Sequence, residues 1–245
     1  DSNRGRRVQS PACLTWLHHG APEGTCGAGD ITLSTSPYIS CPRARPLVRL
    51  RLVVFDLDGT LARLPIDWDD LRARVREFMG TDHPLKPLGP SIPIAAGGDK
   101  ELEEKAFKIV EEAELEAARE ARPDLELRAA LEQLRSAGAK LALVTLQARR
   151  PALTALEGLG VRDLFDLVIT RENSLSREEQ LRMALQRLRV KPGEAAMVGD
   201  LPWDAEAGKR LGCITVIVGE RAKGDFNVAS AAEAARLLAE LDPDT

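Results

Sequence analysis

An apolar run, Leu50-Arg51-Leu52-Val53-Val54-Phe55, stops on Asp56-Leu57-Asp58-Gly59-Thr60, and no other stretch constrains the chain so strongly. The run has the length of a buried strand. Alternate residues of an extended chain point the same way, so Asp56 and Asp58 can turn both carboxylates to one place. Gly59 lets the chain swing away sharply and lets backbone amides approach an anion, which makes Gly59 and Thr60 candidate substrate-binding residues. Two acids this close repel, and they are costly without a cation between them. Magnesium, which binds through carboxylates, waters and phosphate oxygens, meets that need.

Four more apolar runs follow: Lys140 to Thr145, Leu164 to Thr170, Ala195 to Val198 and Cys213 to Val218. Helical patterns with clear punctuation lie between them. Asp124 to Ala137 stops at Gly138, Pro151 opens a helix running to Leu159, and Pro202 opens one ending at Leu211 before Gly212. Proline in the first turn and glycine past the end mark helix boundaries. Near-continuously apolar strands alternating with helices predict an α/β fold, a Rossmann-like parallel sheet with helices on both faces. In such sheets ligands bind at the carboxyl ends of the strands.

One insertion breaks the alternation. Residues 63–122 carry no strand pattern and predict a small helical cap between two parts of a core, 46–62 and 123–245. Helices are expected over Asp67 to Met79 and Asp99 to Ala121, flanking a loop, Gly80 to Gly98, with four prolines and four glycines. Placed just after the first strand, the insertion is expected to close over the strand ends. Specificity would then reside in residues such as Arg72, Arg76, His83 and Lys86.

Residues 1–45 show no periodicity and predict a disordered or non-native N-terminal extension. Through residue 51 the chain holds seven Arg, no Lys and three acids, a net of +4, which leaves −8 on the remainder. The formal net charge of −4 gives no support for a nucleic-acid partner. No stretch approaches 18 apolar residues, so no membrane span is expected. Pro11, His18, His19 and Gly20 interrupt what would be the apolar segment of a secretory signal. Cys13, Cys26 and Cys41 lie in the extension without a CxxC pair to anchor a metal site, and Cys213 stands alone in the body. This cysteine usage fits a reducing cytoplasm.

The sequence Phe55-Asp56-Leu57-Asp58-Gly59-Thr60-Leu61 at the end of an apolar strand resembles the first motif of the haloacid dehalogenase-like hydrolase superfamily. The resemblance extends over about residues 47–240 and is nearest to the phosphoglycolate phosphatase-like branch. It implies that Asp56 is the nucleophile and Asp58 the general acid. Family members that break carbon–halogen bonds lack the second Asp, so Asp58 favours phosphate chemistry. The resemblance also implies that Thr145, ending the second strand, binds a transferring phosphate oxygen. In Gly199-Asp200-Leu201-Pro202-Trp203-Asp204 it implies that Asp200 joins Asp56 and Asp58 in holding magnesium, with Asp204 holding it indirectly or through a water. Asp204 also reads as an acid placed favourably at a helix start.

The departure is at the family's lysine, since none occurs between Lys140 and Lys191. Ser176 and Glu179 form a capping-box pattern that starts a helix at Arg177. A cation in that first turn opposes the helix dipole, which suggests that Arg177 points into the site; Arg171 is the lesser candidate and a solvated Arg177 the plain alternative. The expected activity is a magnesium-dependent phosphatase acting on a small phosphorylated metabolite through an aspartyl-phosphate. A phosphomutase of the same architecture and a non-catalytic binding protein are the alternatives.

Overall fold

The computed structural model describes residues 49–241. The expected extension over residues 1–45, with Cys13, Cys26, Cys41, His18 and His19, lies outside the described residues. In chain order the elements are β1 (Leu52–Phe55), α1 (Trp68–Met79), α2 (Leu88–Ala96), α3 (Lys100–Ala118), α4 (Leu125–Ser136), β2 (Lys140–Val144) and α5 (Arg149–Gly158). There follow a 3₁₀ turn (Arg162–Leu164), β3 (Leu167–Ile169), α6 (Arg177–Leu188), a second 3₁₀ turn (Pro192–Glu194), β4 (Ala195–Gly199), α7 (Pro202–Leu211), β5 (Ile214–Val218), β6 (Phe226–Val228) and α8 (Ala231–Ala239).

The strands form one parallel sheet in the order β3-β2-β1-β4-β5-β6. From β1 the chain steps outward through β2 and β3, then returns to lay β4 on the other side of β1. The winding therefore reverses between β1 and β4, and a crevice opens at their carboxyl ends. Val54 is paired with Ala142 on one side and Met197 on the other, so β1 is central. Its side chains feed two cores. Val53 and Phe55 pack with residues of α4, α5 and α8, such as Leu131, Leu156 and Leu238. Leu52 and Val54 pack with Leu181 and Ala184 of α6 and Ala207 of α7. Burial on both faces is why the strand is apolar throughout.

The predicted α/β architecture is the observed one, with local differences. The run from Leu164 to Thr170 yields a strand only at Leu167–Ile169, because Leu164 closes the 3₁₀ turn. Helix α5 starts at Arg149, two residues before Pro151, which sits within its first turn and is buried. Asp67, Asp99 and Asp124 cap α1, α3 and α4 from outside, each accepting backbone N–H bonds, which trims the expected helices by a residue at the start. The edge strand β6 is a sixth, unexpected strand. Its sequence, Phe-Asn-Val, is too short and polar to signal one, and it forms by pairing with Val216 to Val218.

The largest difference lies inside the expected proline-rich loop, where Leu88–Ala96 is helical. Pro87 stands just before the helix and Pro90 in its first turn, positions where a missing N–H is tolerated. Leu88, Ile92 and Ala96 recur at intervals of four and bury one face. That burial offsets the bond that Pro93 cannot donate. Helices α1, α2 and α3 thus share an apolar cluster of their own around Leu71, Val75, Leu85, Ile92 and Val110. The last turn of α3 instead sends Ala117 and Ala118 into the core beneath the sheet.

No helix among the described residues is long and apolar enough to cross a membrane. Leu131 of α4 is wholly buried in the core it shares with Phe55. Leu131→Ala should lower the unfolding free energy by about 2–5 kcal/mol, measured by urea denaturation, because the surrounding side chains only partly collapse into the space.

Candidate active site

Asp56 follows β1 directly and extends its ladder, its N–H donating to Val198 O at 2.9 Å. The chain then folds back on itself. Gly59, at φ +86°, donates to Ala62 O at 2.7 Å, and Ala62 N returns to Leu57 O at 3.1 Å. A Cβ on Gly59 would overlap the Asp200 carboxylate, so glycine is demanded by both the backbone angle and the close approach. The Thr60 hydroxyl is buried without a hydrogen-bond partner.

The two acids of the first motif have different surroundings. Asp56 is buried among other charges. The Asp58 carboxylate is turned toward the inserted segment, accepting from Leu64 N at 2.9 Å and from the Trp68 indole Nε1 at 3.1 Å. Burial raises the Asp58 pKa, and these two hydrogen bonds oppose the rise.

Across the crevice, β4 delivers Asp200 and the start of α7 delivers Asp204. Asp204 caps its own helix, its Oδ2 accepting from Leu201 N at 3.1 Å, while its other oxygen pairs with Arg177 Nε at 2.8 Å. The helix-start reading of this residue and its place among the charged groups therefore hold together. Gly199 permits the arrangement, since a Cβ there would collide with the Asp204 side chain. Asp56, Asp200 and Asp204 each offer a carboxylate oxygen within 4.8 Å of the others. The Asp58 carboxylate is not one of this group.

Arg177 stands at the first position of α6, capped by Ser176, and is buried. Its guanidinium pairs with Asp56 as well as Asp204, and its Nη1 donates to Val144 O at 2.6 Å and to Gln180 Oε1 at 3.0 Å. The side chain thus points into the site and is not a solvated surface group. Arg171, the lesser candidate, is engaged elsewhere. Its Nη1 lies 2.8 Å from Glu114 of α3, and its guanidinium stacks over the Phe107 ring.

The charges do not balance. Burial pushes the Asp56 carboxyl well above the ordinary range, with Asp204, Asp200 and Asp58 adding to the shift against the pull of Arg177. Burial also raises Asp204, and it carries Asp200 up to about 6 with help from Asp204. For Arg177 burial acts against the charge, yet Asp56 and Asp204 hold its pKa above the usual value. One buried guanidinium, with the largely exposed Arg221 reaching Asp200 from outside, is too little for three carboxylates. Asp200 Oδ1 is buried with no hydrogen-bond partner. A hard oxygen donor set with such an orphaned atom fits a divalent cation held by Asp56, Asp200 and Asp204.

Thr145 directly follows β2, the strand beside β1, at its carboxyl end. Its hydroxyl accepts from Gln147 N at 3.1 Å, and its carbonyl accepts from Gln180 Nε2 at 2.7 Å. Three participants escaped the sequence reading. Gln180 ties Thr145, Ser174 and Arg177 together. Arg221, in the loop after β5, donates to Asp200 Oδ2 at 3.0 Å. Trp68 reaches Asp58. Only Arg221 carried a usable signal, as a cation just past a strand end. Among the cap residues proposed for specificity, Arg72 pairs with Asp69 at 2.6 Å and Lys86 lies 3.9 Å from the same carboxylate.

Comparison with known proteins agrees with this geometry. The haloacid dehalogenase-like hydrolase family matches residues 50–212. A putative pyrophosphatase PpaX of Clostridium perfringens is 31% identical over 183 residues, covering 68% of this chain and 82% of the relative. The tyrosine-protein kinase PtkA of Mycobacterium tuberculosis is 29% identical over 221 residues, covering 78% and 72%. The crystal structure of a predicted phosphoglycolate phosphatase from Haemophilus somnus superposes with a TM-score of 0.58 at 16% identity, over 78% of this chain and 99% of that one. That last likeness speaks to fold alone. The match runs from β1 through α7 and takes in both acidic motifs, about two thirds of the sequence, and it is decisive: the chain belongs to the haloacid dehalogenase-like hydrolases.

Proposed function

We propose that this hydrolase is a magnesium-dependent phosphatase that attacks a small phosphorylated metabolite with Asp56. The observation that carries the reading is the cluster of Asp56, Asp200 and Asp204, buried at the strand ends with a single guanidinium between two of them. Such a deficit of positive charge suits a site that takes up a cation and a phosphate ester together. Magnesium would offset the carboxylates and draw charge from the phosphoryl oxygens.

The chain's own groups account for two displacements. An Asp56 oxygen forms a bond to phosphorus as the ester oxygen departs, and Asp58 gives that oxygen its proton. Water then attacks the phosphorus of the aspartyl-phosphate, returns a proton to Asp58 and frees inorganic phosphate, leaving Asp56 as it began. The raised pKa of Asp58 suits a group that must hold a proton to donate. To do so it must leave Trp68 and Leu64, which lie on the inserted segment, so movement of residues 63–122 as a cap would be part of the cycle. The hydroxyl of Thr145 and the backbone of Gly59 and Thr60 would receive phosphoryl oxygens. Arg177 would fill the place of the family's lysine, a fixed charge beside the nucleophile.

The relative named a tyrosine-protein kinase favours a second reading, in which the phosphoryl group passes from Asp56 to an acceptor other than water, as also in a phosphomutase. Release of inorganic phosphate from simple esters, without an added acceptor, supports the phosphatase. Phosphate that accumulates only on a second molecule supports transfer.

Chelation should abolish turnover of a panel of small phosphate esters, and magnesium should restore it; undiminished turnover in excess chelator overturns the metal assignment. Asp56→Asn should leave the fold intact and end turnover, and rapid quench of the wild type with labelled substrate should place the label on Asp56. Asp58→Asn should slow alkyl phosphates far more than an aryl ester whose leaving group needs no proton. Arg177→Ala should cut kcat by roughly 10²–10³, the scale for removing one preorganised charge. Arg177→Lys should keep a substantial part, and wild-type kinetics in Arg177→Ala would refute its role.

A further inference from the structure

Glu114 lies on the inserted helix α3, yet only 1% of its surface is exposed. Its carboxylate makes two kinds of contact with the core. Oε2 accepts from Ala148 N at 3.0 Å, and both oxygens accept from Arg171 Nη1 at 2.8 Å. Arg171 in turn grips the same loop through its backbone, its N–H donating to Gln147 O at 3.1 Å. The loop held in this way, residues 145–148, begins with Thr145 and ends at the residue preceding α5.

The start of α5 has no side-chain cap of its own, because Ala148 occupies the capping position. Two acids from elsewhere supply the missing acceptors: Glu114 to Ala148 N, and Glu172 to Arg149 N at 2.9 Å. Unsatisfied N–H groups and the helix dipole make this a favourable place for a carboxylate. Stability alone is a poor reason to bury Glu114, since an apolar pair of equal volume commonly does as well as a buried ion pair. Burial pushes its carboxyl up to about 7 despite Arg171 and the Ala148 amide. What the carboxylate adds is direction, an acceptor that fixes where the loop turns.

We infer that Glu114, with the Arg171 guanidinium as its counter-charge, is a positioning residue that sets the Thr145 hydroxyl for the phosphoryl group, so that the inserted segment contributes to the site as well as covering it. This rests on the reading of Thr145 as a phosphate-binding residue. The loop forms a chain of dependence: the Glu114 carboxylate holds Ala148 N, the backbone N–H of Arg171 holds Gln147 O, and Gln147 N holds the Thr145 hydroxyl. Misplacement of a binding group by about 1 Å costs up to ~10²-fold in rate.

Two double variants isolate the acceptor from the charge. Glu114→Gln with Arg171→Met removes both charges and keeps an oxygen for Ala148 N; Glu114→Met with Arg171→Met removes both charges and the oxygen. With comparable thermal midpoints, the Gln variant should keep kcat within about threefold of wild type, while the Met variant should lose roughly 10-fold or more. The Met variant should also bind inorganic phosphate more weakly and lose hydrogen-exchange protection at the Ala148 amide. Equal kcat in the two, or unchanged protection at Ala148, overturns the inference. Should either double variant fail to fold, Glu114→Gln against Glu114→Asp in the otherwise intact chain makes the same test. Asp keeps the charge but withdraws the oxygen, so it should be the slower; equal rates count against the role. A wild-type protein that neither hydrolyses esters nor binds phosphate sinks the phosphatase reading, whereas the Ala148 exchange still reports on the anchor itself.

Discussion

Arg177 divides its guanidinium between Asp56 and Asp204, and the carboxyl edge of the sheet is organised around that division. The two acids arrive from different elements, Asp56 from the end of β1 and Asp204 from the first turn of α7, and each would be costly to bury alone. A planar fork can meet both at once while still donating to Val144 O and Gln180 Oε1. An ammonium group, as a compact point charge, would not fix their relative orientation in this way. The first turn of a helix is an unfavourable place for a cation, and here Ser176 caps the turn while Glu178 and Glu179 offset the charge. The arginine is thus kept where the helix alone would not favour it, because the pocket requires it.

Close packing of like charges needs room, and glycine provides it in the turn after β1 and at the end of β4. Gly59 and Gly199 each stand where a single added carbon would displace a carboxylate. The result is a compact acidic cluster beside the reversal of winding between β1 and β4, with Asp200 Oδ1 still lacking a partner. The remaining imbalance is what makes the three carboxylates fit a divalent cation. An already neutralised cluster would have no use for one.

The inserted helices touch this edge at two places. Through Trp68, α1 holds the Asp58 carboxylate in an outward position. Through Glu114, α3 is joined to the loops after β2 and β3. The first contact is a single hydrogen bond on a partly exposed acid, whereas the second is a buried ion pair with several bonds. The insertion therefore has a strongly fastened end and a weakly fastened one. Its own apolar cluster around Leu71 and Ile92 keeps the three helices together as they meet the core.

Much of this was legible along the chain. Apolar strands, prolines and glycines at helix ends, and acids at strand ends are local signals, and they determined the parallel sheet, the order of most elements and the placement of Asp56, Thr145, Asp200 and Asp204. The helix dipole even marked Arg177 as misplaced for a surface residue. Helix α2 stayed hidden because its prolines speak for a loop until Leu88, Ile92 and Ala96 find a partner surface. Strand β6 stayed hidden because three residues acquire strand geometry only beside β5. Tertiary structure alone decided which charges meet: that Arg177 spans Asp56 and Asp204, that Arg171 turns to Glu114 instead, and that Asp58 faces Trp68. Those pairings join residues 10 to 121 positions apart, and spacing along a chain carries no information about which distant groups are buried together.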